Sequence, residues 1–95
     1  MIDTSLLVPT LYTGTPAYDA DFNPTLRFID VLAAGTLRVV DINDNAVTYN
    51  FATSSVEYPK RIALQVKRIV GDGVGGIGTG TDETDIALTN LVLLQ

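Results

Sequence analysis

At 95 residues the chain is long enough for one domain with one modest core, and 46% apolar against 18% charged residues set it apart from disordered sequences. A net charge of −5 disfavours a nucleic-acid surface, which needs clustered Lys and Arg. The absence of His, Cys and Trp removes the imidazole base, the thiol nucleophile, disulfides and the nitrogen and sulfur metal ligands. The composition therefore argues against an enzyme, and no catalytic residue, cofactor or metal site is expected.

In chain order, residues 1–24 read as an extended N-terminal arm. Pro9, Pro16 and Pro24 each remove a backbone donor and push the preceding residue out of the helical region. The arm is not a solvated linker, because Leu6, Leu7, Val8, Leu11, Tyr12, Tyr18 and Phe22 all need a surface to cover them. Residues 25–95 read as a β-domain. Strands are predicted over 26–32, 37–42, 47–51, 61–70 and 86–94 from period-two alternation and the turn signals between them. Leu37 and Val39 share one face of the second strand. Ile62, Leu64 and Val66 share the core face of the fourth. Asn43-Asp44-Asn45 is a hairpin turn, since Asn and Asp tolerate left-handed backbone. The run Leu91-Val92-Leu93-Leu94 is apolar on both faces and belongs at a central position or an interface. The expected class is all-β: a small antiparallel sandwich or barrel of about five to seven short strands carrying the arm.

Several motifs come close to known sites and then depart from them. Asp41 to Asn45 starts like an EF-hand loop, but Ala46 stands where the turn needs Gly and Ala52 where a Glu should close it. Gly71-Asp72-Gly73-Val74-Gly75-Gly76 fits G-x-G-x-x-G after a strand, yet no helix-forming run follows to aim amides at a pyrophosphate. The loop 71–85 is instead expected to project and to order on contact. Asp82-Glu83-Thr84-Asp85 gathers carboxylates on that loop, where a solvated or charged rim is the plain reading.

The six basic residues are Arg27, Arg38, Lys60, Arg61, Lys67 and Arg68. Four of them fall in one short segment, while residues 69–95 carry only acids. This asymmetry suits a subunit whose ends meet opposite charge on a neighbour. A mean hydropathy of +0.27 is high for a chain this small, so part of its apolar surface is expected to lie against another copy. No run approaches the roughly 18 apolar residues of a membrane helix.

The strand leading to Ala34-Gly35, then Leu37-Arg38-Val39-Val40, Val47-Thr48-Tyr49-Asn50-Phe51, the basic strand Ile62-Ala63-Leu64-Gln65-Val66-Lys67-Arg68-Ile69, and Gly78-Thr79-Gly80-Thr81 before Asp85-Ile86-Ala87-Leu88 together carry a resemblance. So do Val8-Pro9, Asp19 and Asp21 near the start. The chain resembles the head-spike base proteins of tailed phages and gene-transfer agents. That resemblance implies a structural, non-enzymatic virion subunit that forms a ring at a capsid vertex and holds a fibre. Decoration, cement and small tail or baseplate roles belong to the same class, and a carbohydrate-binding β-module is the alternative from another class. The expected partners are copies of the chain in a symmetric homo-oligomer and other virion proteins (capsid, fibre or tail), with no nucleic acid or membrane. The expected contacts are the arm at Leu6, Leu7, Leu11 and Tyr12, the basic stripe Lys60, Arg61, Lys67 and Arg68, and the acids Asp82, Glu83 and Asp85.

Overall fold

The computed structural model describes residues 10–95. Leu6 and Leu7 of the arm lie outside the described residues. Five strands form: β1 (Asp21–Val31), β2 (Gly35–Asp41), β3 (Ala46–Phe51), β4 (Lys60–Ile69) and β5 (Leu91–Leu94). They make one open sheet in the order β3-β2-β4-β1-β5, with every neighbouring pair antiparallel. The chain is thus all-β.

Only three residues separate Val31 from Gly35, so at most about 15 Å of chain joins β1 to β2. Yet β1 ends opposite Lys60, β2 pairs near Ile69, and both run in the same direction. A straight β4 would hold those ends about 30 Å apart. The short connection therefore requires β4 to bend. The register shifts between Leu26 and Phe28 and between Val40 and Asp41 mark where it does so. The single sheet folds over its own middle strand, and its inner face becomes the core.

Leu26, Ile29, Val31, Leu37, Val39, Val66 and Ile69 are fully enclosed there, joined by Ile62, Leu91 and Leu93. Burial of each such side chain contributes about 1.5–3 kcal/mol before entropy is counted. Leu37 and Val39 do share the buried face, and Ile62 and Val66 face the core, whereas Leu64 is only half-buried beside the bulge. Tyr49 and Phe51 stack at 6.1 Å on the margin of this core.

Two elements differ from expectation in informative ways. β1 starts at Asp21 and runs through Pro24, so the boundary expected between residues 24 and 25 falls inside a strand. Pro24 is tolerated because the β1–β4 register is broken between Asp21 and Leu26, where no ladder donor is needed. β5 is four residues long, preceded by a single 3-10 turn at Leu88–Asn90. Ile86 leaves the strand and plugs the core instead, 2% exposed.

Part of the arm belongs to the body. Thr10 and Gln95 exchange backbone bonds of 3.0 and 2.7 Å, and the Tyr12 N–H donates to the Leu93 carbonyl at 2.8 Å. Residues 10–12 thus line the free edge of β5. The Tyr12 ring meets Phe22 edge-on at 5.1 Å, and the Tyr18 hydroxyl donates to the Ile86 carbonyl at 2.5 Å.

Candidate functional site

The glycine-rich loop after β4 is the most heavily built surface feature among the described residues. It starts where the Asp19 N–H donates to the Ile69 carbonyl at 2.8 Å. Asp19 sits in left-handed backbone at φ 60°, a conformation its short polar side chain tolerates. From there its carboxylate reaches across to the loop. Oδ1 accepts from the Gly71 N–H at 2.9 Å, and Oδ2 accepts from those of Gly73 and Gly75 at 2.9 and 3.1 Å. Asp72 does the same locally: its Oδ1 accepts from the Val74 and Gly76 amides at 2.8 and 3.0 Å.

The G-x-G-x-x-G segment therefore does cradle an anion, and that anion is a carboxylate of the same chain. Convergent amides of this kind form a nest that favours negative charge. Partial burial works to raise the Asp19 carboxyl. The amides of Gly71, Gly75 and Gly73, with the Arg68 charge, outweigh it and hold the group below the ordinary aspartate value. Gly71 is obligatory by space, since a Cβ there would run into the Gly76 carbonyl and the Tyr18 side chain. Gly73 and Gly75 are needed for conformation, at φ 96° and 91°.

The second half of the loop is tied to β2. Thr84 is fully buried. Its hydroxyl accepts from the Arg38 N–H at 2.9 Å and donates to the Arg38 carbonyl at 3.1 Å. Asp85 Oδ1 accepts from the Thr36 N–H at 2.7 Å, and the Asp85 N–H donates to the Thr36 carbonyl at 3.1 Å. Residues 84–85 thus take the place beside β2 that β4 vacates after Ile69. Glu83 accepts from the Thr79 amide at 2.9 Å, and Asp82 faces Arg38 at 3.6 Å. The three acids expected at an interface are engaged within the chain, and the loop is held in shape by it. Held this way, the loop presents Val74 at 90% exposure and Ile77 at 51%.

The basic stripe is also engaged internally. Arg61 and Asp30 are cross-strand partners and form a two-pronged pair at 2.6 and 3.0 Å, with the guanidinium 5.0 Å over the Phe28 ring. Arg68 and Asp21 are likewise register partners, paired at 2.7 Å, and the Arg68 hydrogen bond holds the Asp21 carboxyl below its usual value. Lys67 pairs with Asp44 of the β2–β3 hairpin. Lys60 is exposed at the head of β4, with no acidic partner among the described residues. Of the arm contacts, Leu11 is 60% exposed and Tyr12 packs in cis against the core.

The EF-hand-like hairpin is closed on itself as well. Asp41 Oδ1 accepts from the amides of Asn43 and Asn45, both at 2.9 Å, and Asp44 takes the left-handed position at φ 65°. The residue that sequence reasoning missed is Asp19, the organiser of the loop. It stands 52 to 56 residues from the amides it binds, so no local pattern joins them. Among the described residues, no helix is long and apolar enough to cross a membrane. Comparison with protein-family models, curated proteins and solved structures finds no match to the chain.

Proposed function

We propose that this chain is a structural subunit that works by attachment rather than by chemistry. In this reading it is a homo-oligomeric accessory protein of a tailed phage or related particle, of the head-spike base, decoration or cement type. The observation that carries the reading is the pinned loop. Five backbone amides are bound by Asp19 and Asp72, and the result is a fixed protrusion with Val74 almost fully exposed at its tip. A floppy loop hides or averages an apolar side chain, whereas a braced one displays it for contact. Val56 and Tyr58, 74% and 71% exposed between β3 and β4, form a second apolar projection. The sequence resemblance to head-spike base proteins supplies the particle context.

Light scattering on the purified full chain tests this reading. It predicts a discrete multimer at micromolar concentration. A 10.2 kDa species that persists at high concentration overturns it.

A further inference from the structure

The two edges of the sheet are treated differently. The β5 edge is lined by the chain's own residues 10–12. Along β3, the other edge, no described residue is paired on the outer side. Exposed edges in soluble proteins are usually blunted by charge, proline or a bulge. β3, Ala46–Phe51, has none of these: its sequence AVTYNF is uncharged and proline-free, and its register with β2 is unbroken. By contrast, both pairings of β4 carry register shifts.

The free hydrogen-bonding groups can be assigned. The Asp41 N–H donates to the Asn45 carbonyl, which makes 41 and 45 a directly bonded pair. Bonded and non-bonded pairs alternate along an antiparallel ladder. Val47, Tyr49 and Phe51, opposite Val39, Leu37 and Gly35, therefore bond inward to β2. Ala46, Thr48 and Asn50 direct their N–H and C=O groups outward.

We infer that this edge pairs with the same edge of a second copy, antiparallel about a twofold axis at Thr48. The inference rests on the self-assembly reading above and names one of its surfaces. In that register Thr48 faces its counterpart, Ala46 faces Asn50 of the other copy, and about six backbone hydrogen bonds close the seam. On the inner face, Val47 of each copy lies beside Tyr49 of the other, which continues the half-buried apolar margin across the junction. A twofold brings identical residues together, and residues 46–56 contain no charged side chain. The strand itself thus brings no like charges together, although the whole chain carries −5, and Arg38, whose guanidinium reaches Thr48 on the outer face, is faced by Asp82 of its own chain at 3.6 Å. The side chains of Thr48 and Asn50 are held by Arg38 and Thr36 on the outer face, clear of the edge. The result is one continuous sheet with five strands from each copy.

Two variants of the full chain test this. Thr48→Pro removes an N–H that the β2 ladder does not use, a position where an edge strand accepts proline. Thr48→Cys uses the chain's lack of cysteine: two facing residues about 5.5 Å apart at Cα are within disulfide reach. The expected results are a halved assembled mass for Thr48→Pro with a wild-type circular dichroism spectrum, and a disulfide-linked dimer for Thr48→Cys on mild oxidation. A Cys control at exposed Thr89 is expected not to link. A wild-type multimer whose mass is unchanged in Thr48→Pro, or whose Thr48→Cys form gives no more dimer than the control, overturns the edge pairing and leaves self-assembly standing. If Thr48→Pro fails to fold, the cysteine result decides. A monomeric wild type overturns both.

Discussion

Asp19 is the residue on which the glycine loop depends. Its carboxylate satisfies three amides that no neighbouring backbone reaches, and charged acceptors make the stronger hydrogen bonds. Asp19→Ala is expected to cost about 1–2 kcal/mol, because the freed amides are partly solvated. The measurable signature is local: amide exchange at Gly71, Gly73 and Gly75 speeds up while the β-strand amides keep their protection. The same group links the loop to pH. Because its folded pKa is depressed, its contribution is fully present above the ordinary aspartate value and fades as pH falls through the lower folded value. The protection of those three amides, taken relative to their intrinsic exchange rate, should therefore fall in acid below about pH 4 and stay constant between about pH 5 and 8. Thr84 is the second such residue. Thr84→Val keeps the volume but leaves the Arg38 N–H without its partner, while the Arg38 carbonyl keeps the Val70 N–H at 2.8 Å; the expected cost is about 1–3 kcal/mol by denaturant unfolding. Thr84→Ser, which keeps the hydroxyl, should recover most of that loss.

At the scale of elements, the strands were largely legible in the sequence. Leu37/Val39 and Ile62/Val66 alternate as half-buried strands do, and their burial follows. The hairpin was legible from Asp44, which takes the left-handed turn position that glycine usually fills. Bulges were not, because a bulge shifts register without changing composition. The β4 bend, which makes one sheet enclose its own core, was hidden for that reason. The short β5 was hidden too. The alternation through Ile86 looks continuous, and only the long-range bonds of Thr84 and Asp85 to β2 show why the chain crosses the core there before pairing. The ion pairs Asp30–Arg61 and Asp21–Arg68 became visible only with the register, which sets each pair directly opposite. They lie on exposed surface, so they fix alignment more than stability.

For the whole molecule, the described acids and bases are largely matched within the chain, and the apolar loop tips and the β3 edge are left unengaged among the described residues. This division suits a subunit that meets its neighbours through backbone edges and apolar projections. In the proposed reading, two contact types would build more than a pair: a twofold seam at β3 would make dimers, and the braced tip would carry them into a larger assembly. The measurement that tests this most directly is the solution mass of Val74→Asp beside the wild type. Val74 is 90% exposed and the substitution keeps the backbone N–H that Asp72 binds, so both proteins should melt alike, with the wild type assembling beyond a dimer and the variant falling back to one. A variant that keeps the full wild-type mass would contradict the account.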